Sequence, residues 1–384
     1  MARIMSDSDE EFSVPLPFAE LLSSHHPVSI KLLQSLPRTV LATCRTTSEY
    51  EKLAKLGGGS FGAVYRVHDK ETGEVLAMKR VCFSQDVTDD TLISGVREIL
   101  GLARVGHPNV LGLRNLVLSS NSVFVAIEEC LTDLGKLVDN LAVPLTEPQV
   151  KCIMWQLFSG LESLHATGIV HRDLKASNVL ISYNGDVKIG DFGFSKDYNM
   201  AKCWTPDNVV TLWYRPPEIL LHVPLHTTAV DMWSAGCIMG ELLQKRPLLP
   251  GQSELQQIEL ITQMIGAPDE NIWPGISSIL TASGVRFHKK DGQRSLSNLC
   301  RNFAWLPATG SRLLASLLSY APDRRASARN CLQSNWFRNE PFACEPNQLP
   351  LRQLNPDKRH FPMTSLTNEV SQAPQPKKKR KASI

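Results

Sequence analysis

The residues able to do chemistry fall in separate short runs. Gly57-Gly58-Gly59-Ser60-Phe61-Gly62-Ala63-Val64 fits the pattern G-x-G-x-x-G-x-V. Positions without side chains let backbone N–H groups approach phosphate oxygens. The same pattern also makes a plain tight hairpin. A dinucleotide site is disfavoured, because the run after Gly62 reads as a strand rather than a helix. Fifteen residues after Val64, Lys79 ends the apolar run Leu76-Ala77-Met78. A lysine with its stem among apolar residues needs an anionic partner. Glu98, in Gly95-Val96-Arg97-Glu98-Ile99, can supply it from a following helix. Next comes His171-Arg172-Asp173-Leu174-Lys175-Ala176-Ser177-Asn178, followed by Asp191-Phe192-Gly193 and then Pro216-Pro217-Glu218.

In this order and at this spacing the runs resemble the eukaryotic protein-kinase family, over about residues 50–337. The resemblance implies ATP and Mg2+ as cofactors and phosphoryl transfer as the reaction. That reaction has a loose transition state, so catalysis is positioning plus charge stabilisation. It implies that Asp173 accepts the substrate hydroxyl proton and that Asn178 and Asp191 hold the magnesium ions. Lys79, braced by Glu98, would hold the α- and β-phosphates, and Lys175 would lie near the γ-phosphate, as in Ser/Thr kinases. The expected ATP-binding residues are Leu56, Gly57, Gly58, Gly59, Ser60, Phe61, Gly62, Val64, Ala77 and Lys79, with Ile127 as gatekeeper, Glu128 and Cys130 as hinge, and Asp133 facing the ribose. Two further roles are structural: Asp231 braces the backbone of the His171 loop, and Glu218 pairs with Arg325. Because Lys79, Glu98, Asp173, Asn178 and Asp191 are all present, an inactive ATP-holding scaffold is the disfavoured reading.

Val209-Val210-Thr211-Leu212-Trp213-Tyr214-Arg215 resembles the substrate-reading segment of the cyclin-dependent kinase family. There an arginine occupies the carbonyl that would otherwise accept the N–H of the substrate's +1 residue. An unpartnered N–H costs about 1–3 kcal/mol, and proline has none to lose. Val209, Val210 and Arg215 are therefore expected to read proline at +1, making the substrates proteins with Ser/Thr-Pro sites. Ile93-Ser94-Gly95-Val96-Arg97-Glu98-Ile99 resembles the cyclin-contacting helix, nearest the PISSLRE and PITSLRE types. Arg246-Pro247-Leu248-Leu249-Pro250-Gly251, Glu270-Asn271-Ile272-Trp273-Pro274-Gly275 and Cys344-Glu345-Pro346 favour the PISSLRE type.

The chain also departs from the family pattern. Leu92 replaces the helix-leading proline and Gly95 a serine. A mid-helix glycine costs about 1 kcal/mol relative to alanine, so the helix alone is expected to form poorly, and either a cyclin orders it or the cyclin contact has drifted. Lys196 stands where an arginine is usual. Thr205 is the expected activation phosphosite, its phosphate gathered by Arg97, Arg172 and Lys196. Ser60-Phe61 replaces the Thr-Tyr of related kinases, so tyrosine phosphorylation there is chemically impossible. A proline-directed kinase that works without a cyclin is the main competing reading.

The frame for these groups is written in the hydrophobic pattern. Residues 50–56, 63–68, 75–80 and 121–128 read as strands, with a turn at Lys70-Glu71-Thr72-Gly73. Thr146-Glu147-Pro148-Gln149 has capping-box spacing, and Val150, Ile153, Met154, Leu157, Leu161 and Leu164 behind it trace the stripe of an amphipathic helix. Residues 230–243 are apolar nearly all round, as in a buried helix. Strands come first and helices later, so the expected fold is α+β and bilobal. A small β-rich N-lobe would span 50–130 and a larger helical C-lobe 131–337, with a mostly flexible arm over 1–49 and an extension over 338–384.

Composition bounds the rest. The 384 residues carry 41 basic and 38 acidic groups, a net charge of +3, which suggests no direct nucleic-acid or membrane-surface partner. No run approaches about 18 consecutive apolar residues, and the early acidic cluster Asp7, Asp9, Glu10 and Glu11 is unlike a signal peptide. The nine cysteines include no CxxC pair, so scattered free thiols in a reducing compartment are expected. After Pro376, the run Lys377, Lys378, Lys379, Arg380, Lys381 resembles a nuclear-import signal. It implies a nuclear-import receptor as partner and a nuclear location with a cytoplasmic share.

Overall fold

Leu76 and Met78 join one buried apolar cluster, whereas Ala77 and Val81 join another, so consecutive side chains of this stretch enter opposite layers. Val123, Val125 and Ile127 alternate with Phe124 and Ala126 in the same way. A sheet buried on both faces therefore organises the first part of the chain, and its strands read as nearly unbroken apolar runs. The computed structural model describes residues 44–59, 62–82, 89–119, 122–197, 210–224, 226–286, 299 and 303–351.

The elements here are β1 (Arg45–Thr46), β2 (Tyr50–Gly59), β3 (Gly62–Asp69), β4 (Val75–Cys82), α1 (Asp89–Arg104), β5 (Leu113–Leu118) and β6 (Ser122–Glu128). The strands form one sheet in the order β1-β5-β6-β4-β3-β2. β1 pairs with β5 in parallel, and the other pairs are antiparallel. The hydrophobic pattern places the first strand at residue 50, yet β1 precedes it. Charge rather than apolar pattern holds that strand. Arg45 reaches Asp69 at 2.6 Å and Glu49 at 2.7 Å, and its guanidinium lies over the Tyr50 ring. β5 likewise shows no period-two pattern in the sequence, and a register shift between Leu113 and Asn115 interrupts it.

The second part comprises β7 (Thr132–Asp133), α2 (Leu134–Asn140), α3 (Glu147–Ala166), β8 (Ile169–Val170), β9 (Val179–Ile181), β10 (Val187–Ile189), β11 (Lys196–Asp197), α4 (Pro217–Leu220), α5 (Ala229–Gln244), α6 (Glu254–Ile265), α7 (Ile276–Ser283), α8 (Ala308–Leu317), α9 (Ala328–Leu332) and α10 (Asn335–Arg338). The expected α+β arrangement, strands before helices, is the one observed. Thr146 and Gln149 form the capping box that starts α3, and the predicted stripe from Val150 to Leu164 is buried. α5 is buried from Ala229 to Leu243 and packs against both α3 and α8.

Lys151 on α3 lies outside the apolar stripe but is fully buried. Its Nζ donates to the carbonyls of Asn339 at 2.9 Å and Pro341 at 2.6 Å, and lies 3.2 Å from Glu147. Three acceptors satisfy an ammonium that burial would otherwise exclude, and they bind the segment after α10 to α3. Among the described residues, Cys130, Cys152, Cys237, Cys331 and Cys344 are free thiols. No helix among them is long and apolar enough to cross a membrane.

Candidate active site

Strand register assembles one wall of a cleft. Gly57, Gly58 and Gly59 pair with Val64, Ala63 and Gly62, so the glycine run belongs to the antiparallel β2–β3 pair. Val64 pairs in turn with Lys79, and Ala77 with Ile127. The cleft beneath has a volume of about 440 Å³. Of the expected ATP-binding residues, Leu56, Gly57, Gly58, Val64, Ala77, Lys79, Ile127, Glu128, Cys130 and Asp133 line it. Gly59 and Gly62 pair with each other at the end of β2 and the start of β3. Ser60 and Phe61 fall outside the described residues, as do Thr205, Val209 and the tail residues Lys377, Lys378, Lys379, Arg380 and Lys381. Sequence reasoning missed Leu111, Leu131, Thr132, Lys136, Ser177, Leu180 and Gly190, which complete the lining. Burial pushes the Cys130 thiol up to about 12, so it is a neutral part of the wall.

Lys79 Nζ lies 2.6 Å from Glu98 Oε1 and 3.3 Å from Asp191 Oδ1. Burial works to lower the ammonium's pKa, but the two carboxylates outweigh it and hold it above the ordinary lysine value. Burial raises the Glu98 carboxyl, with Lys79 opposing. In the folded chain α1 is continuous through Gly95 and carries Glu98 inward. Packing explains this. A Cβ at Gly95 would fall 2.2 Å from Val81 Cγ1, and one at Gly101 would fall 2.6 Å from Phe192 Cβ. Both glycines let α1 lie directly on β4 and on the Asp191-Phe192 segment, and that contact offsets their helix cost. Leu92 falls in a part of α1 whose side chains are not described.

The loop after β8 is built on a buried carboxylate. Asp231, on α5, accepts the backbone N–H groups of His171 and Arg172, each at 2.9 Å, and pairs with His165 at 2.9 Å. Burial works to raise its carboxyl, and the bonds from His165 and the loop outweigh it, so it titrates below the ordinary aspartate value. No sequence pattern points to the His165 partner. The expected Glu218–Arg325 pair is bidentate, at 2.7 and 2.9 Å, and buried.

Above this frame Asp173 is held on several sides. Lys175 Nζ lies 2.7 Å from Asp173 Oδ2, and Asn178 Nδ2 donates to the same oxygen at 3.1 Å and to the Asp173 carbonyl at 2.8 Å. Thr211 donates to Oδ1 through its hydroxyl at 2.9 Å and through its N–H at 3.2 Å. The Thr211 hydroxyl also accepts from Lys175 at 3.2 Å. In the sequence Thr211 is only one position of the substrate-reading segment, and no local signal ties it to Asp173. Asn178 and Asp191 both line the cleft, and their oxygens are the hard donors that suit Mg2+.

Arg215 donates from Nε and Nη2 to the Val210 carbonyl, at 3.1 and 3.0 Å. Arg172, Asp191 and Val210 have φ of 62°, 63° and 68°, a region non-glycine residues rarely enter. Arg172 is buried and donates from Nε to the Phe194 carbonyl at 2.9 Å. Arg97 lies half-buried on α1, and Lys196 begins β11, which pairs with β8.

Comparison with known proteins agrees with this geometry. The family model described as "Protein kinase domain" matches residues 50–337. The chain is 44% identical over 332 residues to "Cyclin-dependent kinase 10" of Homo sapiens, covering 86% of this chain and 91% of that protein. The match to "Cyclin-dependent kinase 10" of Bos taurus is also 44%, over 336 residues, covering 87% and 91% respectively. "Cyclin-dependent kinase 11B" of Homo sapiens is 39% identical over 327 residues, which cover 84% of this chain and 40% of that protein.

Proposed function

The chain belongs to the protein kinase family, in its cyclin-dependent branch, and is a serine/threonine kinase; on that premise we propose that a cyclin activates it to phosphorylate Ser/Thr-Pro sites in proteins. The observation carrying this reading is the convergence of Lys175, Asn178 and Thr211 on Asp173, beside the cleft that Lys79 and Asp191 line.

The family uses ATP and a divalent metal. Asp191 and Asn178 would hold Mg2+, which would supply positive charge against the phosphates. Lys79 adds a cation that Glu98 and Asp191 keep in place and protonated. Asp173 accepts the proton of the substrate hydroxyl as its oxygen bonds to the γ-phosphorus. The bond from that phosphorus to the β,γ-bridging oxygen breaks, and ADP leaves. Lys175 steadies Asp173 and adds positive charge at the mouth of the cleft. Cys130, Glu128 and Ile127 line the cleft where they would face the adenine, and Asp133, which also caps α2 by accepting from Lys136 N at 2.9 Å, would face the ribose.

Support for proline direction comes from Val210, whose carbonyl is already taken by Arg215. The proposed cyclin surface is α1 around Ile93–Ile99, with Thr205 as the activating phosphosite. The basic tail, read by an import receptor, would bring the kinase to the nucleus in cell-cycle or transcription control. The test is transfer of γ-labelled phosphate to a Ser-Pro peptide by the purified chain, alone and with each of a panel of recombinant cyclins. Stimulation by one cyclin is expected. Full activity without any cyclin would favour the cyclin-independent reading, and no transfer under any condition would leave only a scaffold.

A further inference from the structure

Arg215 is gripped from a second element. While Nε and Nη2 hold the Val210 carbonyl, Nη1 lies 2.5 Å from Glu254 Oε1, in the first turn of α6. The same turn grips Trp213. Gln257, fully buried, donates from Nε2 to the Trp213 carbonyl at 3.3 Å and accepts the Gly251 N–H on Oε1 at 3.1 Å. The Trp213 indole in turn donates to the Gly251 carbonyl at 3.0 Å. The start of α6 thus clamps the substrate-reading segment at Trp213 and at Arg215.

A guanidinium is planar, so fixing one nitrogen limits where the opposite edge can point. Val210 meanwhile holds a left-handed φ of 68°, which persists only when surrounding contacts enforce it. We propose that Glu254 is a positioning residue for +1 specificity: it holds the Arg215 fork on the Val210 carbonyl and so keeps that acceptor closed to any +1 N–H. This inference rests on the proline-directed reading above. Releasing Arg215 lets Val210 relax and its carbonyl turn to the substrate, which removes the penalty against a +1 residue that carries an N–H. The distinctive consequence is a gain of activity on substrates the parent rejects.

The experiment measures kcat/KM on two peptides that differ only at +1, Ser-Pro and Ser-Ala, for the full chain with its activating cyclin. The parent is expected to favour Ser-Pro by roughly tenfold or more. Glu254 is 43% exposed on its side chain, so Glu254→Gln leaves the fold intact. That variant is expected to lower the preference at least threefold, mainly by raising turnover of Ser-Ala, with KM for ATP unchanged. An unaltered preference in Glu254→Gln overturns the inference, as does an equal loss on both peptides, which marks a merely structural contact. A parent with no preference for Ser-Pro refutes proline direction itself, and the inference falls with it.

Discussion

Gly95 of α1 rests on Val81 of β4 so closely that a Cβ at 95 would lie 2.2 Å from Val81 Cγ1. Replacing a mid-helix glycine by alanine ordinarily stabilises a protein, by about 0.4–1 kcal/mol. Here the sign reverses, because valine is stiff about χ1 and cannot move its methyl aside cheaply. Gly95→Ala is expected to push α1 off the sheet, draw Glu98 away from Lys79, and lower kcat on the order of tenfold. Gly95→Ala combined with Val81→Ala restores the space and should recover most of that loss. Kinetics of the two variants check this. A single variant as active and as thermally stable as the parent would contradict it.

Asp231 holds the loop of Asp173 by its backbone. Asp231→Asn is expected to cost about 3 kcal/mol at neutral pH, through a lost charge-assisted acceptor in a buried site. The carboxyl is held below its unfolded value. Its contribution is therefore complete above that value, near pH 3.9, and fades as pH falls through the lower folded value. Unfolding curves of parent and variant should lie far apart at neutral pH and converge as pH drops below about 4. A gap that stays constant into acid would show that Asp231 does not act as the charged form.

Thr205 precedes the substrate-reading segment, and a phosphate on it could pair with Arg97, Arg172 and Lys196. Thr205→Ala is expected to reduce the cyclin-bound activity on the order of tenfold or more. Turnover of the variant with cyclin bound checks this, and parental turnover would remove Thr205 from the mechanism.

The tail from Lys377 to Lys381 holds five cations, more than the net charge of +3 of the whole chain, so its positive charge is local. Changing Lys378, Lys379 and Arg380 to alanine should move a tagged protein from nucleus to cytoplasm. A variant as nuclear as the parent would mean that entry depends on a partner such as the cyclin.

Much of the site is legible in the sequence because its chemistry needs particular residue types in a fixed order. Lys79, Glu98 and Asp191 can be read in this way, and the structure brings both carboxylates within 3.3 Å of the Lys79 ammonium. The features that escape a sequence reading depend on contacts that no local pattern encodes. Thr211 meets Asp173 across 38 residues, and Glu254 meets Arg215 across 39. β1 is held by the ion pair of Arg45 with Asp69 rather than by apolar rhythm. Lys151 interrupts the hydrophobic pattern of α3 yet is buried, because its acceptors at Asn339 and Pro341 come from the far end of the described chain. Gly95 reads as a weakness of its helix until Val81 is placed beneath it.

The central group is Asp173, which we propose as the acceptor of the substrate hydroxyl proton. The most direct test is the rate of γ-labelled phosphate transfer to a Ser-Pro peptide by Asp173→Asn, compared with the parent under identical cyclin and ATP-Mg2+. Asparagine keeps the shape, one acceptor oxygen for Thr211 and the backbone carbonyl that Asn178 holds, but its amide cannot take the proton. Turnover is expected to fall on the order of 10³-fold, while ATP still raises the melting temperature of the variant. Transfer at close to the parental rate would contradict the assignment of this site.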